Sequence, residues 1–153
     1  MITNNDIIRR IRYIFDYNDS KIIELFAHAG YETTRAEISD WLKKDEDPAF
    51  VKIDDYHLAL FLNGLIVDKR GRKDGEMPEA EKRLNNNIVF RKLRIALNLK
   101  DDDILEIIAL SGMQISKHEL SAFFRNPSQM QYRPCNDQIM RNFLKGLQAK
   151  YNR

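Results

Sequence analysis

Apolar residues recur three and four positions apart along most of this chain, the spacing that places them on one face of an α-helix. The first such stretch carries Ile7, Ile8, Ile11, Ile14 and Phe15. Short breaks rich in Asn, Asp, Ser, Thr and Gly separate the stretches, as is typical of helix caps and turns. The pattern therefore predicts an all-α protein of about eight helices.

The same pattern occurs twice, at an offset of 82 residues that takes Asn4-Asn5 to Asn86-Asn87. A register kept over a whole domain length indicates a duplicated folding unit. Domains of roughly 70 residues are marginal alone, so we expect two pseudo-symmetric four-helix units packed as one compact body. We predict a first helical repeat over residues 4–70, a charged and solvated linker over 71–84, and a second helical repeat over 85–153.

Glycines and capping residues recur at matching places in the two copies. We predict capping boxes at Thr34–Glu37 and Ser116–Glu119, where a hydroxyl and a carboxylate satisfy backbone amides. Two further pairs have different expected roles: left-handed helix ends at Gly30 and Gly112, and close helix crossings at Gly64 and Gly146.

The distribution of charge bears on the predicted partner more than on the predicted fold. The overall formal net charge is +2, but residues 1–70 sum to −3 and residues 85–153 to +5. A partner that follows phosphate charge should therefore prefer the second repeat. The first six residues lack the features of a signal peptide, and no apolar run is long enough for a bilayer. We expect a cytoplasmic protein with no membrane partner.

The motifs of catalysis and metal binding are absent from the sequence. His28, His57 and His118 fall on different predicted helices and recur at no matching position. The single cysteine, Cys135, has no partner for a disulfide or a zinc site, so we expect a small buried or loop thiol. The acidic run 101–103 suits the first turn of a helix. We predict no enzyme activity, no metal and no cofactor.

A polar stripe on the first helix of each repeat is the leading candidate for binding. At 100° per residue its members fall opposite the apolar face, and two guanidinium groups three positions apart suit phosphate or carboxylate. The simpler interpretation is a solvated face with local ion pairs such as Arg12 to Asp16. The candidate residues are Asn5, Arg9, Arg12, Asn87, Arg91 and Arg94.

A helix-turn-helix DNA-binding protein acting in transcription is the alternative. The second and third helices of each repeat are short and joined around a glycine, which resembles that motif. Acidic residues weaken this interpretation in the first repeat. The second repeat offers a more basic face made of Lys117, His118, Arg125 and Arg133.

Four segments resemble the YehS-like family of small bacterial proteins: residues 3–12, 41–44, 61–66 and 84–87. The resemblance covers essentially the whole chain, including the two-copy layout. It implies an all-helical bacterial cytoplasmic protein with a domain of unknown function, and it carries over no catalytic or binding residue. We therefore expect a non-enzymatic binding or adaptor protein whose partner is a protein or a nucleic acid. The oligomeric state stays open.

Overall fold

The structure is a computed structural model that describes residues 2–72 and 78–152. Within those ranges every regular element is a helix, which confirms the all-α prediction and the two tandem four-helix units. Among the residues described, no helix combines the length and apolar composition that crossing a membrane requires. The elements are α1 (Asn4–Ile14), α2 (Asp19–His28), α3 (Arg35–Leu42), α4 (Asp55–Arg70), α5 (Asn86–Ala96), α6 (Asp101–Leu110), α7 (Lys117–Phe123) and α8 (Asp137–Tyr151).

The third helix of each repeat begins at the predicted caps, with one difference. Ser116 and Glu119 form the full reciprocal capping box of α7. In α3, Thr34 accepts from the Glu37 amide at 3.1 Å as expected. The Glu37 carboxylate, however, accepts from the hydroxyls of Tyr31 and Thr33 at 2.8 and 2.7 Å. The prediction of a full box is therefore wrong for the first repeat, because nearby hydroxyls compete for the carboxylate.

Left-handed residues end the first two helices of each repeat. Asp16 and Asn98 follow α1 and α5 with φ of 53° and 54°, a conformation that Asp and Asn tolerate better than most side chains. Gly30 and Gly112 follow α2 and α6 with φ of 80° and 90°, as predicted. The identical terminations give both repeats the same turn from one helix to the next.

One glycine in each repeat lets two helices cross closely, which confirms the prediction for Gly64 and for Gly146. A Cβ atom added at Gly64 in α4 would lie 1.7 Å from the carbonyl oxygen of Leu25 in α2. At Gly146 in α8 it would lie 1.9 Å from the carbonyl oxygen of Ile107 in α6. Only a hydrogen atom fits in either place, so backbone packs against backbone.

The repeats are interlocked, because the first helix of each packs more extensively on the last helix of the other repeat than on its own. Hence α5 lies on α4, and α1 lies on α8. The Asp55 carboxylate accepts from the Asn4 side chain at 2.7 Å and from the Leu84 amide at 2.9 Å, which joins the repeats. The equivalent carboxylate makes the same two bonds with the repeats exchanged, through Asp137, Asn86 and Ile2.

Two titratable groups near this contact carry shifted pKa values. The hydrogen bond from Asn86 lowers the pKa of Asp137 below its usual 3.8. Cys135 is a buried free thiol, as predicted. Its pKa is raised to about 12, mainly by burial and to a lesser extent by the nearby Asp137 charge. The thiol is therefore protonated and poorly nucleophilic at neutral pH.

The predicted linker lies partly outside the described residues, since 73–77 are not among them. Beyond that segment the chain is not simply solvated. Ala80 is buried, at 8% exposure, and the Glu81 carboxylate lies 3.0 Å from the Lys92 Nζ on α5. The prediction of a solvated segment is therefore wrong for Ala80 and Glu81, because the end of the linker lies over the junction of α4 and α5.

Candidate functional site

The asparagines of the predicted stripe are buried, so the surface role proposed for them is wrong. Asn5 is 2% exposed. Its amide donates to the carbonyls of Trp41 and Val51 at 2.9 and 3.0 Å, and its oxygen accepts from the Ile53 amide at 3.1 Å. In the second repeat Asn87 forms the same clamp on the main chain. Its amide donates to the carbonyls of Phe123 and Arg133, and its oxygen accepts from the Cys135 amide.

The arginines one turn later complete the same clamp. Arg9 donates to the carbonyl of Lys43, the residue that caps α3, at 3.3 Å. Arg91 donates to the carbonyl of Phe124, the residue that caps α7, at 3.2 Å. The last carbonyls of a helix lack intrahelical partners and carry the negative end of the dipole, so a guanidinium group is stabilising there. The stripe therefore recurs because both repeats cap their third helix in this way.

The remaining pair of stripe arginines does not form a shared recognition surface either. Arg12 is half-buried, and its Nε has no hydrogen-bond partner among the described residues. Its expected ion pair with Asp16 is not among those found in residues 2–72 and 78–152. Arg94 pairs with Asp101 at 2.8 Å and lies 4.6 Å from the ring centre of Phe124. The stripe is thus made of residues with separate local contacts.

The alternative nucleic-acid face is exposed but not uniformly basic. Lys117 and His118 begin α7 and are exposed, and Lys117 lies 3.7 Å from Asp102. Arg125 is exposed beyond the other end of α7, while Arg133 donates to two carbonyls of its own loop. The connection between α6 and the seven-residue α7 has six residues, 111–116. It is longer than the tight turn of the DNA-binding motif. DNA binding stays a prediction.

A cluster of possible metal ligands, which the sequence did not reveal, joins α2 to α4. The ligand atoms of Glu24, His28 and Asp68 lie within 4.8 Å of one another. Lys21 already holds the position of the cation, with its Nζ 2.7 Å from Asp68 and hydrogen-bonded to Glu24. The hydrogen bond to Asp68 is the main cause of a raised Lys21 pKa, so the ammonium stays charged. We assign the cluster to an ion-pair network between two helices.

One cleft lies between the repeats, where equivalent helix ends of both repeats meet. Its volume is about 850 Å³, and the C-terminal ends of α1, α4, α5 and α8 line it. The negative ends of these helix dipoles meet here, and Lys69 and Arg70 supply compensating positive charge. The Lys69 ammonium lies 4.6 Å from the ring centre of Phe15. Lys69 and Arg70 thus offset the helix dipoles, while Asp16 adds a negative charge to the lining.

A smaller cleft, which we call the α1/α8 groove, carries two arginines that form no ion pair among the described residues. It has a volume of about 480 Å³ and is lined by Ile2, Asp6, Arg9, Arg10, Tyr13, Arg141 and Leu144. Asp6 and Arg9 pair with each other at 3.3 Å. Arg10 is half-buried and Arg141 exposed, and neither has a hydrogen-bond or ion-pair partner among the described residues. Two guanidinium groups are thus available to an anion.

The other inter-repeat junction, between α4 and α5, satisfies the equivalent cation. Lys92 occupies the position of Arg10 in the second repeat and is buried, at 9% exposure. Its Nζ lies 2.6 Å from the Asn63 Oδ1 and 3.0 Å from the Glu81 Oε1. The matched cations at positions 10 and 92 are visible at the 82-residue offset. Their different surroundings require the structure.

Comparison with known proteins places the chain in a family. The family model described as "Protein of unknown function (DUF1456)" matches residues 4–71 and again 86–152. The chain is 44% identical over 149 residues to "Uncharacterized protein YehS" of Escherichia coli (strain K12), covering 96% of this chain and 95% of that protein. No solved structure matches the chain. The chain therefore belongs to the DUF1456 family, in which it carries two tandem copies of the helical unit.

Proposed function

We propose that this protein is a non-enzymatic binding or adaptor protein that captures an acidic segment of another protein in the α1/α8 groove. The observation that carries the proposal is the pair of guanidinium groups, Arg10 and Arg141, which line a cleft and form no ion pair within 4.0 Å among the described residues. The site replaces the helix-1 stripe of the sequence-based prediction. The cytoplasmic location stays a prediction.

Charge and burial both favour a carboxylate ligand. A half-buried Arg10 is less screened by salt than a fully solvated side chain, which strengthens an ion pair formed there. Guanidinium groups bind carboxylates in a bidentate manner, with geometry as well as charge. Lys145, the counterpart of Asn63, is exposed one turn beyond Arg141 and adds positive charge. The groove thus presents Arg10 and Arg141 beside the paired Asp6 and Arg9, with Lys145 nearby. The Arg141 charge also helps to lower the pKa of the Asp137 carboxyl.

A labelled oligoglutamate peptide tests the proposal by fluorescence anisotropy over a salt series. We expect binding that the double substitution Arg10→Ala, Arg141→Ala weakens at least tenfold, with an unchanged melting temperature. The matched control is Arg125→Ala, Arg133→Ala, which removes two exposed arginines outside the groove. Equal losses in both double variants would reduce the interaction to net charge and contradict the proposal.

Random duplex DNA serves as the competing probe. Binding to phosphate follows the number of charges neutralised and falls steeply with salt. If the duplex binds and oligoglutamate does not, the protein is a nucleic-acid binder and the acidic-protein proposal is wrong. If Lys117→Ala, Arg125→Ala also removes that duplex binding, the alternative face at α7 carries it.

A further inference from the structure

The cleft where the C-terminal ends of α1, α4, α5 and α8 meet, which we call the four-helix cleft, contains main-chain acceptors without partners. Ile14 ends α1 and Ala96 ends α5, at equivalent positions of the two repeats. Both residues line the cleft and are buried, at 2% exposure each. Neither carbonyl accepts a hydrogen bond from the residues that the structure describes. Because a buried carbonyl without a partner costs free energy, these two oxygens favour a ligand that donates hydrogen bonds.

The charge of the four-helix cleft favours a cation. The C-terminal end of each helix carries about −0.5 of an elementary charge, so four ends contribute about −2. Lys69 and Arg70 contribute +2 and Asp16 contributes −1, which leaves the lining with an excess of about one negative charge. Asp16 is exposed and forms no ion pair within 4.0 Å among residues 2–72 and 78–152. Its carboxylate is therefore a further partner for a positively charged ligand.

Aromatic rings line the same cleft, and one of them already holds a cation. The Lys69 ammonium lies 4.6 Å from the ring centre of Phe15. The ring of Tyr151 lies beside that of Phe15, with their centres 5.5 Å apart. The face of an aromatic ring attracts an ammonium group. Since Lys69 is exposed and its charge is carried on a flexible four-carbon stem, a ligand ammonium can replace it on this ring.

We infer that the four-helix cleft binds a small linear polyamine, a ligand with a primary ammonium group at each end. The ammonium groups donate to the carbonyls of Ile14 and Ala96 and pair with Asp16, and one of them replaces Lys69 on Phe15. The cleft volume of about 850 Å³ is within the range of about 300–1,000 Å³ that is typical of small-molecule sites. The inference does not depend on the proposed function, because none of these five residues lines the α1/α8 groove.

The positions of the acceptors select this class among cations. Equivalent residues of the two repeats supply one carbonyl each, which suits a ligand with a donor at both ends. A quaternary ammonium has no N–H group and can contact only the rings and the carboxylate. A calcium or magnesium ion is usually bound by carboxylates, and Asp16 is the single carboxylate in the lining of the cleft. A primary ammonium uses the rings, the carbonyls and the carboxylate together.

Isothermal titration calorimetry with spermidine at low salt tests the inference. We expect saturable binding of one spermidine per chain, which Asp16→Asn weakens about fivefold. That substitution copies the counterpart Asn98 and keeps a side chain that tolerates the φ of 53° at this position. Lys69→Met should instead strengthen binding about fivefold, because it removes the competing ammonium from Phe15. The matched control is Glu46→Gln, which neutralises an exposed acid outside the cleft and should leave binding unchanged.

Four results would overturn the inference. Absence of spermidine binding is the first. Equal losses in Asp16→Asn and Glu46→Gln would mean that spermidine only screens the net charge. Binding that Lys69→Met leaves unchanged or weakens would show that no ligand ammonium replaces this side chain. Binding of tetramethylammonium as tight as that of spermidine would show that the two carbonyls accept nothing from the ligand.

Discussion

The two junctions between the repeats share the carboxylate hydrogen bonds of Asp55 and Asp137 and differ in the partners of their cations. At the α4/α5 junction Lys92 is buried, hydrogen-bonded to Asn63 and ion-paired with Glu81. At the α1/α8 junction the positions of Lys92 and Asn63 carry Arg10 and Lys145, two cations without a covering segment in the described chain. The duplicated unit thus pairs the cation at one junction and leaves its counterparts without an ion pair among the described residues at the other, where we propose that a partner binds.

The largest expected effect tests whether the repeats are equal beneath their junctions. Alanine at Gly64 or at Gly146 places a methyl group against a backbone carbonyl that cannot move aside. Each substitution should lower the free energy of unfolding by about 4 kcal/mol or more, despite the better helix propensity of alanine. Urea denaturation of the two variants measures this loss. Losses that differ by more than about 2 kcal/mol would contradict equal packing inside the repeats.

The asparagine clamps come next in size. Alanine at Asn5 or at Asn87 leaves two carbonyls and one amide of the main chain without their hydrogen-bond partners. We expect each variant to lose about 3 kcal/mol of unfolding free energy, measured by urea denaturation. If a variant keeps its stability and loses oligoglutamate binding, the predicted surface role of these asparagines is right and the clamp role is wrong.

The two junction cations should differ in their effect on stability. Methionine at Lys92 leaves Asn63 and Glu81 without their shared partner, so we expect a loss of about 2 kcal/mol. Methionine at Arg10 breaks no hydrogen bond or ion pair among the described residues and keeps an apolar stem, so it should change stability by about 0.5 kcal/mol or less. Thermal and urea unfolding measure both variants. Equal losses would show that the α1/α8 junction is as tightly satisfied as its counterpart.

The smallest expected effect is the pH dependence at Asp137, which links the repeats at the open junction. Its folded-state pKa is lowered below 3.8, mainly by the hydrogen bond from Asn86. The carboxylate therefore contributes stability above its unfolded pKa, and this contribution disappears as the pH falls through the folded pKa. Urea midpoints of the wild type and of Asp137→Asn, measured from neutral pH to below 3.8, should converge in acid. A difference in urea midpoint that does not change with pH would show that the Asp137 charge is not what stabilises the protein.

Much of the fold follows from the sequence because the repeat doubles every weak signal. The crossings at Gly64 and Gly146 are an example, since one glycine inside a helix is ambiguous and two at the same register are not. The role of Asn5 could not be predicted in this way. Its partners are two main-chain carbonyls and one main-chain amide, which the sequence does not reveal, and its angle on the helix is that of a solvated residue.

The candidate site was missed for a related physical reason. Arg10 lies near the boundary between the apolar and polar faces of α1, and a long cation there buries its stem and exposes its head in many proteins. Glu81 stands in a charged segment with no apolar periodicity, so its pairing with Lys92 has no local signature. Only the comparison of the two folded junctions shows that Lys92 has partners and that Arg10 has no ion pair among the described residues.

The most direct test of this contrast is a methyl spectrum of the full chain, recorded while oligoglutamate is added. The account predicts shifts at Ile2 and Leu144, which line the α1/α8 groove, and none at their counterparts Leu84 and Leu62. Shifts at Leu84 and Leu62 alone, or equal shifts at both junctions, would contradict it.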